Sequence, residues 1–215
     1  MAENKKQNVT ADGNAEITRE RLLDLFDSDD DGVAVCVGSW KAYNECNEHA
    51  LGSSLKTSDG KIHCYIDFMK LDGADELREV LKAIGWSDAE MEETFVQDYC
   101  SGWMDIRNCD NQSAFELADW VYEHRDEIDG NEKKLRAIIE TCYGDYEDAM
   151  DALDEYDLYE GMDASDYARQ LFEECYSMPK GMEWVEGYID FDSMGRDMVL
   201  NGEIVEATDG LLVRC

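Results

Sequence analysis

The sequence predicts an α+β fold built from three small domains in series, on three observations. Strand-like runs occur near both ends of the chain, helical periodicity fills its middle, and glycines interrupt that middle into short helices. The 215 residues are 44% hydrophobic and include 5 Trp, 11 Tyr and 6 Phe, which is ample material for a core.

Residues 1–32 read as an N-terminal extension, with a disordered tail over 1–15 and a short helix from Glu16 to Phe26. An α+β domain over 33–112 follows. In it Val33–Val37 (VAVCV) and Lys61–Phe68 read as strands. Leu77, Val80, Leu81 and Ile84 recur at helical spacing over Asp75–Gly85, with Gly85 placed to cap the helix. Ser87 and Glu90 resemble a capping box, and Thr94–Cys100 returns as a strand.

A helical bundle is expected over 113–158. Its helices run Phe115–Asp126, Glu132–Cys142 and Asp145–Asp157, the last with Tyr146, Ala149, Met150, Leu153 and Tyr156 on one stripe. A C-terminal α+β domain over 159–215 holds helices Asp163–Tyr176 and Tyr188–Asn201, the second ended by Gly202. Glu203–Ala207 and Leu211–Cys215 read as a closing hairpin.

Charge dominates the composition. Against 52 Asp and Glu stand only 19 Lys and Arg, a formal charge of -33. Acidity alone would serve solubility or a high-salt host equally well. Its distribution is more specific. Between Ala137 and Ala168 no basic residue occurs, while Glu140, Asp145, Glu147, Asp148, Asp151, Asp154, Glu155, Asp157, Glu160, Asp163 and Asp166 do. Between Ala83 and Ile106 the same holds, with Asp88, Glu90, Glu92, Glu93, Asp98 and Asp105. Ordinary solvated helices mix signs, because like charges three or four residues apart cost a few tenths of a kcal/mol. Such faces repel phosphate, which argues against direct nucleic-acid binding and against an anionic membrane surface. Cations and basic protein grooves remain as partners. With duplex DNA carrying one charge per ~1.7 Å of axis, the net charge matches roughly 16 base pairs.

The strongest competing motif is Asp27-Ser28-Asp29-Asp30-Asp31-Gly32, the first half of an EF-hand-like calcium loop. Its second half fails, since the bidentate position falls on Gly38 and a strand follows. The eight cysteines show no C-x-x-C spacing and do not cluster with the three histidines, so no zinc site or redox motif is expected and the thiols should be free. No cofactor motif or catalytic constellation is present. The polar start, Met1–Gly13, lacks an apolar targeting core, and the chain is expected to be cytoplasmic.

Val33–Asn44, the Asp75–Gly85 segment, Glu93–Tyr99, Ser165–Arg169 and above all Tyr188–Asp197 (YIDFDSMGRD) resemble the ArdA antirestriction proteins of mobile genetic elements, collinearly from Val33 to Cys215. Two departures stand out. Residues 1–32 precede the family's usual start, and the Gly and Trp usual after Tyr-Asn are not cleanly reproduced between Glu45 and Leu55, so the first domain is expected to differ locally. The resemblance implies an elongated homodimer of three small domains whose acidic surface imitates bent duplex DNA. It implies reversible, non-catalytic binding to the methyltransferase core of a type I restriction-modification enzyme. Tyr188, Gly195 and Arg196 are expected to serve packing and capping, with Arg196 paired to a carboxylate.

Overall fold

The computed structural model describes residues 17–27, 32–104, 113–176, 179–181 and 183–215. The expected tail over 1–15 and Asp105 lie outside these residues, as does most of the Asp27–Gly32 loop. Contacts gather the chain into two compact units, Met1–Asp129 and Gly130–Cys215.

In the first unit, Thr18 caps α1 (Arg19–Leu25), its hydroxyl accepting from the Arg21 N–H at 3.2 Å. β1 (Val33–Ser39) is buried at all seven positions, as a continuous β-branched run requires. Ser39 then caps α2 (Trp40–Glu45), a helix hidden in sequence by its brevity.

The expected single strand over Lys61–Phe68 is divided. Ile62–His63 (β3) pairs with Leu55–Lys56 (β2), whereas Ile66–Asp67 (β4) pairs with β1. Ser53 explains the break, because its hydroxyl donates to the Cys64 carbonyl at 2.7 Å and removes that acceptor from the ladder. Asp67 then caps a 3-10 turn, Phe68–Lys70.

α3 (Gly73–Ala83) buries Leu77, Val80 and Leu81, and Gly85 follows it at φ +103°, a left-handed position that glycine suits. β5 (Thr94–Ser101) lies beside β1, giving an antiparallel sheet of order β4-β1-β5. α4 (Ala114–Ile128) opens on a capping box in which Ser113 and Glu116 satisfy each other's turn, and it packs on α3.

In the second unit, α5 (Glu132–Thr141) buries Leu135 and Ile138. The helix expected over Asp145–Asp157 is corrected. α6 ends at Asp151 (Tyr146–Asp151), and Tyr156–Glu160 is a strand, β6. Continuing the helix would crowd carboxylates at Asp148, Asp151 and Glu155. The strand instead gains a full antiparallel ladder from Tyr156↔Arg214 to Glu160↔Gly210.

α7 (Ala164–Cys175) and α8 (Phe191–Asn201) cover the sheet. α8 starts at Phe191, three residues later than expected, because Asp190 caps it by accepting from the Ser193 N–H at 3.0 Å. Gly202 ends it in the left-handed conformation, φ +73°. The expected hairpin forms from β7 (Ile204–Ala207) and β8 (Gly210–Arg214), and the sheet order is β6-β8-β7. Ala168, Phe191, Met198, Ile204 and Leu211 make the core, with Tyr159, Tyr167, Leu171 and Phe172 packed against it.

Candidate functional site

The acids divide by what their carboxylates do. Glu90 is only 4% exposed and accepts hydrogen bonds from the Ser87 amide (2.8 Å), the Ser87 hydroxyl (2.7 Å) and the Asn47 side-chain amide (2.7 Å). It is removed from the expected surface set. Of the capping box expected at Ser87 and Glu90 only the half from the Ser87 amide to the Glu90 carboxylate forms, while the Glu90 N–H donates to the Ser87 carbonyl, and the pattern closes a turn and opens no α-helix. Glu92 and Glu93 are exposed just ahead of β5. Asp98, exposed on β5, accepts from the Tyr65 hydroxyl at 2.6 Å, and this bond pushes the Tyr65 phenol up to about 12.

The second unit carries the denser set. Asp145 caps α6, accepting from the Asp148 N–H at 2.9 Å, and Asp163 caps α7, accepting from the amides of Ser165 and Asp166 at 2.9 Å each. The backbone bond from Asp166 is the leading cause that holds the Asp163 carboxyl below its usual range, with Ser165 adding to it. Glu140 accepts from the Thr208 hydroxyl (2.9 Å), Glu155 pairs with Arg214 (2.7 Å), Glu160 with Lys133 (2.5 Å), and Asp157 accepts from the Cys215 thiol (3.3 Å). Glu147, Asp148, Asp151 and Asp154 are exposed on α6 and the 3-10 turn after it, with no ion pair among the described residues. The structure therefore brings together a run of exposed carboxylates from Glu147 to Glu160 along helix, turn and strand. Sequence periodicity placed most of the same residues on one helix.

An open cavity of about 490 Å³ beside β6 is lined by Lys133 and Lys134 as well as Asp157 and Glu160. Its mixed charge makes it a poor trap for either ion sign. Among the described residues no group of three or more His, Cys, Asp or Glu is arranged to hold a metal ion, and no helix is long and apolar enough to cross a membrane. Gly38 lies inside β1 opposite Phe95, so the loop that begins at Asp27 runs into a strand, where an EF-hand requires a helix. The seven described cysteines are free thiols.

The segment Tyr188–Asp197 resolves into packing and capping, with two corrections. Tyr188 is 81% exposed and meets Trp184 edge-on with ring centres 5.8 Å apart. Arg196 donates to the Ser193 hydroxyl at 3.4 Å where a carboxylate partner was expected, although its charge helps lower the Asp190 carboxyl, chiefly held down by the Ser193 amide. Gly195 is buried against the start of α7.

The family described as Antirestriction protein (ArdA) matches residues 35–213, from within β1 to within β8 and hence through both units. The chain belongs to the ArdA antirestriction protein family. A comparison with curated proteins gives no match. As an ArdA protein the chain has antirestriction as its function and restriction enzymes as its partners. The ArdA match begins at residue 35, inside β1. What sequence patterning passed over in this ArdA chain is the exposed aromatic pair Trp40 and Tyr43 on α2, whose only signal was their i,i+3 spacing.

Proposed function

We propose that this antirestriction protein acts as a mimic of DNA, occupying the DNA groove of a type I restriction-modification enzyme by binding its methyltransferase core reversibly and without catalysis. The carrying observation is the exposed run Glu147, Asp148, Asp151 and Asp154, free of ion pairs among the described residues and continued by Asp157 on β6. Carboxylates left without partners keep their field available to a basic groove. Glu92, Glu93, Asp98, Glu140, Asp145, Glu155, Glu160 and Asp163 add to that field, and Asp105 belongs to the same proposal by sequence alone. An elongated homodimer of three small domains, acting in the cytoplasm, would extend the charged track beyond a single chain.

Competition tests this directly. A labelled duplex bound to a purified type I methyltransferase is titrated with the protein at rising salt. Displacement that weakens as salt rises supports mimicry, because basic side chains would exchange phosphates for carboxylates. Failure to displace the duplex at low salt, across several type I enzymes, would refute it.

A further inference from the structure

The first unit carries an aromatic platform that none of the acidic segments accounts for. Trp40 stacks on Phe95 with ring centres 4.2 Å apart and planes 26° apart, and Tyr43 meets Trp40 edge-on at 6.0 Å. Phe95 is seated in turn over Gly38, where a Cβ would come within 2.5 Å of its ring. The stack is thus anchored to the buried strand β1, yet Trp40 stays 43% exposed and Tyr43 62% exposed. The backbone N–H of Trp40 donates to the Glu93 carbonyl at 3.0 Å, which sets residue 93 beside the platform, and the Glu92 and Glu93 side chains are both exposed. The nearest cation in sequence, Lys41, pairs with Glu45 at 3.5 Å.

We infer that Trp40 and Tyr43, with Glu92 and Glu93, form a docking point for an arginine side chain of the DNA-binding surface of a protein partner. The occupant follows from charge and shape. A planar guanidinium can lie on an indole face while its N–H groups reach a neighbouring carboxylate, which a compact lysine ammonium does less well. Arginines already lie over rings among the described residues: Arg78 over Phe115 (4.7 Å), Arg125 over Tyr122 (4.7 Å) and Arg169 over Phe191 (4.4 Å). Among the described residues none lies over Trp40. A phosphate-bearing partner would be repelled by Glu92 and Glu93. The inference deepens the DNA-groove reading and rests on it for the partner's identity.

The test has two arms, both on the full chain. First, an oligoarginine and an oligolysine of equal length are titrated against wild type, Trp40→Leu, Trp40→Phe and Tyr43→Leu. Wild type should prefer oligoarginine by about 3- to 30-fold, Trp40→Phe should keep much of that preference, and Trp40→Leu should lose it. Equal binding of both peptides by wild type, or an undiminished preference in Trp40→Leu, overturns the docking point. Should Trp40→Leu melt without cooperativity, Tyr43→Leu decides by the same criterion. Second, the same variants compete with DNA for the methyltransferase. Weaker competition by Trp40→Leu, coupled non-additively to Glu93→Gln, is expected, and unchanged competition overturns the site's role there. A wild type that binds no enzyme refutes the mimic reading, while the peptide arm still decides the docking point. A change in oligomeric state on Trp40→Leu, seen by sedimentation, would assign the platform to a second copy and overturn the proposal.

Discussion

Gly195 of α8 rests directly on the backbone of Ala164 at the start of α7. A Cβ at position 195 would intrude on the Ala164 carbonyl and stand 2.9 Å from the Ser165 amide nitrogen. The two helices can approach this closely only because position 195 has no side chain. In an exposed helix, Gly→Ala stabilises by up to about 1 kcal/mol. Here Gly195→Ala should destabilise the second unit by about 1–3 kcal/mol, the range of overpacked contacts that backbone must absorb. Gly187→Ala, with nothing within 4 Å of its would-be Cβ, should change little. Thermal or urea unfolding of both variants checks the sign, and a stabilised Gly195→Ala would refute the close contact.

Glu90 and Glu92 separate structural from displayed acidity within a few residues. Glu90→Ala deletes the acceptor of three hydrogen bonds in a buried site and should cost about 2–4 kcal/mol. Glu92→Gln should leave stability within about 0.5 kcal/mol, as exposed substitutions do. Affinity for the enzyme should shift in the opposite order once Glu90→Ala is assayed below its melting point.

The elements written into local pattern were legible in sequence: β1 from its β-branched run, α3 and α5 from their apolar spacing, and the Gly202 stop. Those decided by distant partners were not. Nothing near Tyr156–Glu160 announces a strand, since only the β8 ladder, some fifty residues on, converts the end of an expected helix into β6. Lys61–Phe68 reads as one strand until Ser53 takes the Cys64 carbonyl. The acidic segments were visible as charge. That Glu90 is buried while Glu92 is not depends on Asn47, forty-three residues away, whose amide reaches the one carboxylate.

The Asp163 cap predicts a signed pH dependence. Its folded pKa is depressed, so the cap's contribution is present above the unfolded carboxylate pKa and is lost as pH falls through the folded value. Asp163→Ala should therefore melt below wild type near neutral pH, with the gap closing toward pH ~3. Asp163→Asn, which still caps, should melt close to wild type throughout. Comparing variant with wild type at each pH cancels the general relief of repulsion among the 52 acids on acidification. A gap that widens toward acid would refute the cap's assignment.

The exposed run on α6 predicts how charge is shared. Glu147, Asp148, Asp151 and Asp154 have no ion pair among the described residues, whereas Glu155 pairs with Arg214 at 2.7 Å. Neutralising any one of the four, as Glu147→Gln, Asp148→Asn, Asp151→Asn or Asp154→Asn, should weaken enzyme binding by less than about 1 kcal/mol, because many carboxylates act on the groove together. The four combined should weaken it far more and chiefly slow association, since a long-range field steers encounter more than it holds the complex. Folding should hold or improve, as repulsion along α6 is relieved. Glu155→Gln should differ in stability, loosening the end of β6 against β8 by removing the Arg214 ion pair, while its effect on the association rate should match that of the other single neutralisations. On-rates and melting temperatures of the five variants and the quadruple decide the matter. If one substitution among the four abolishes binding, and the quadruple adds nothing to it, a single local contact does the recognition and the distributed field does not.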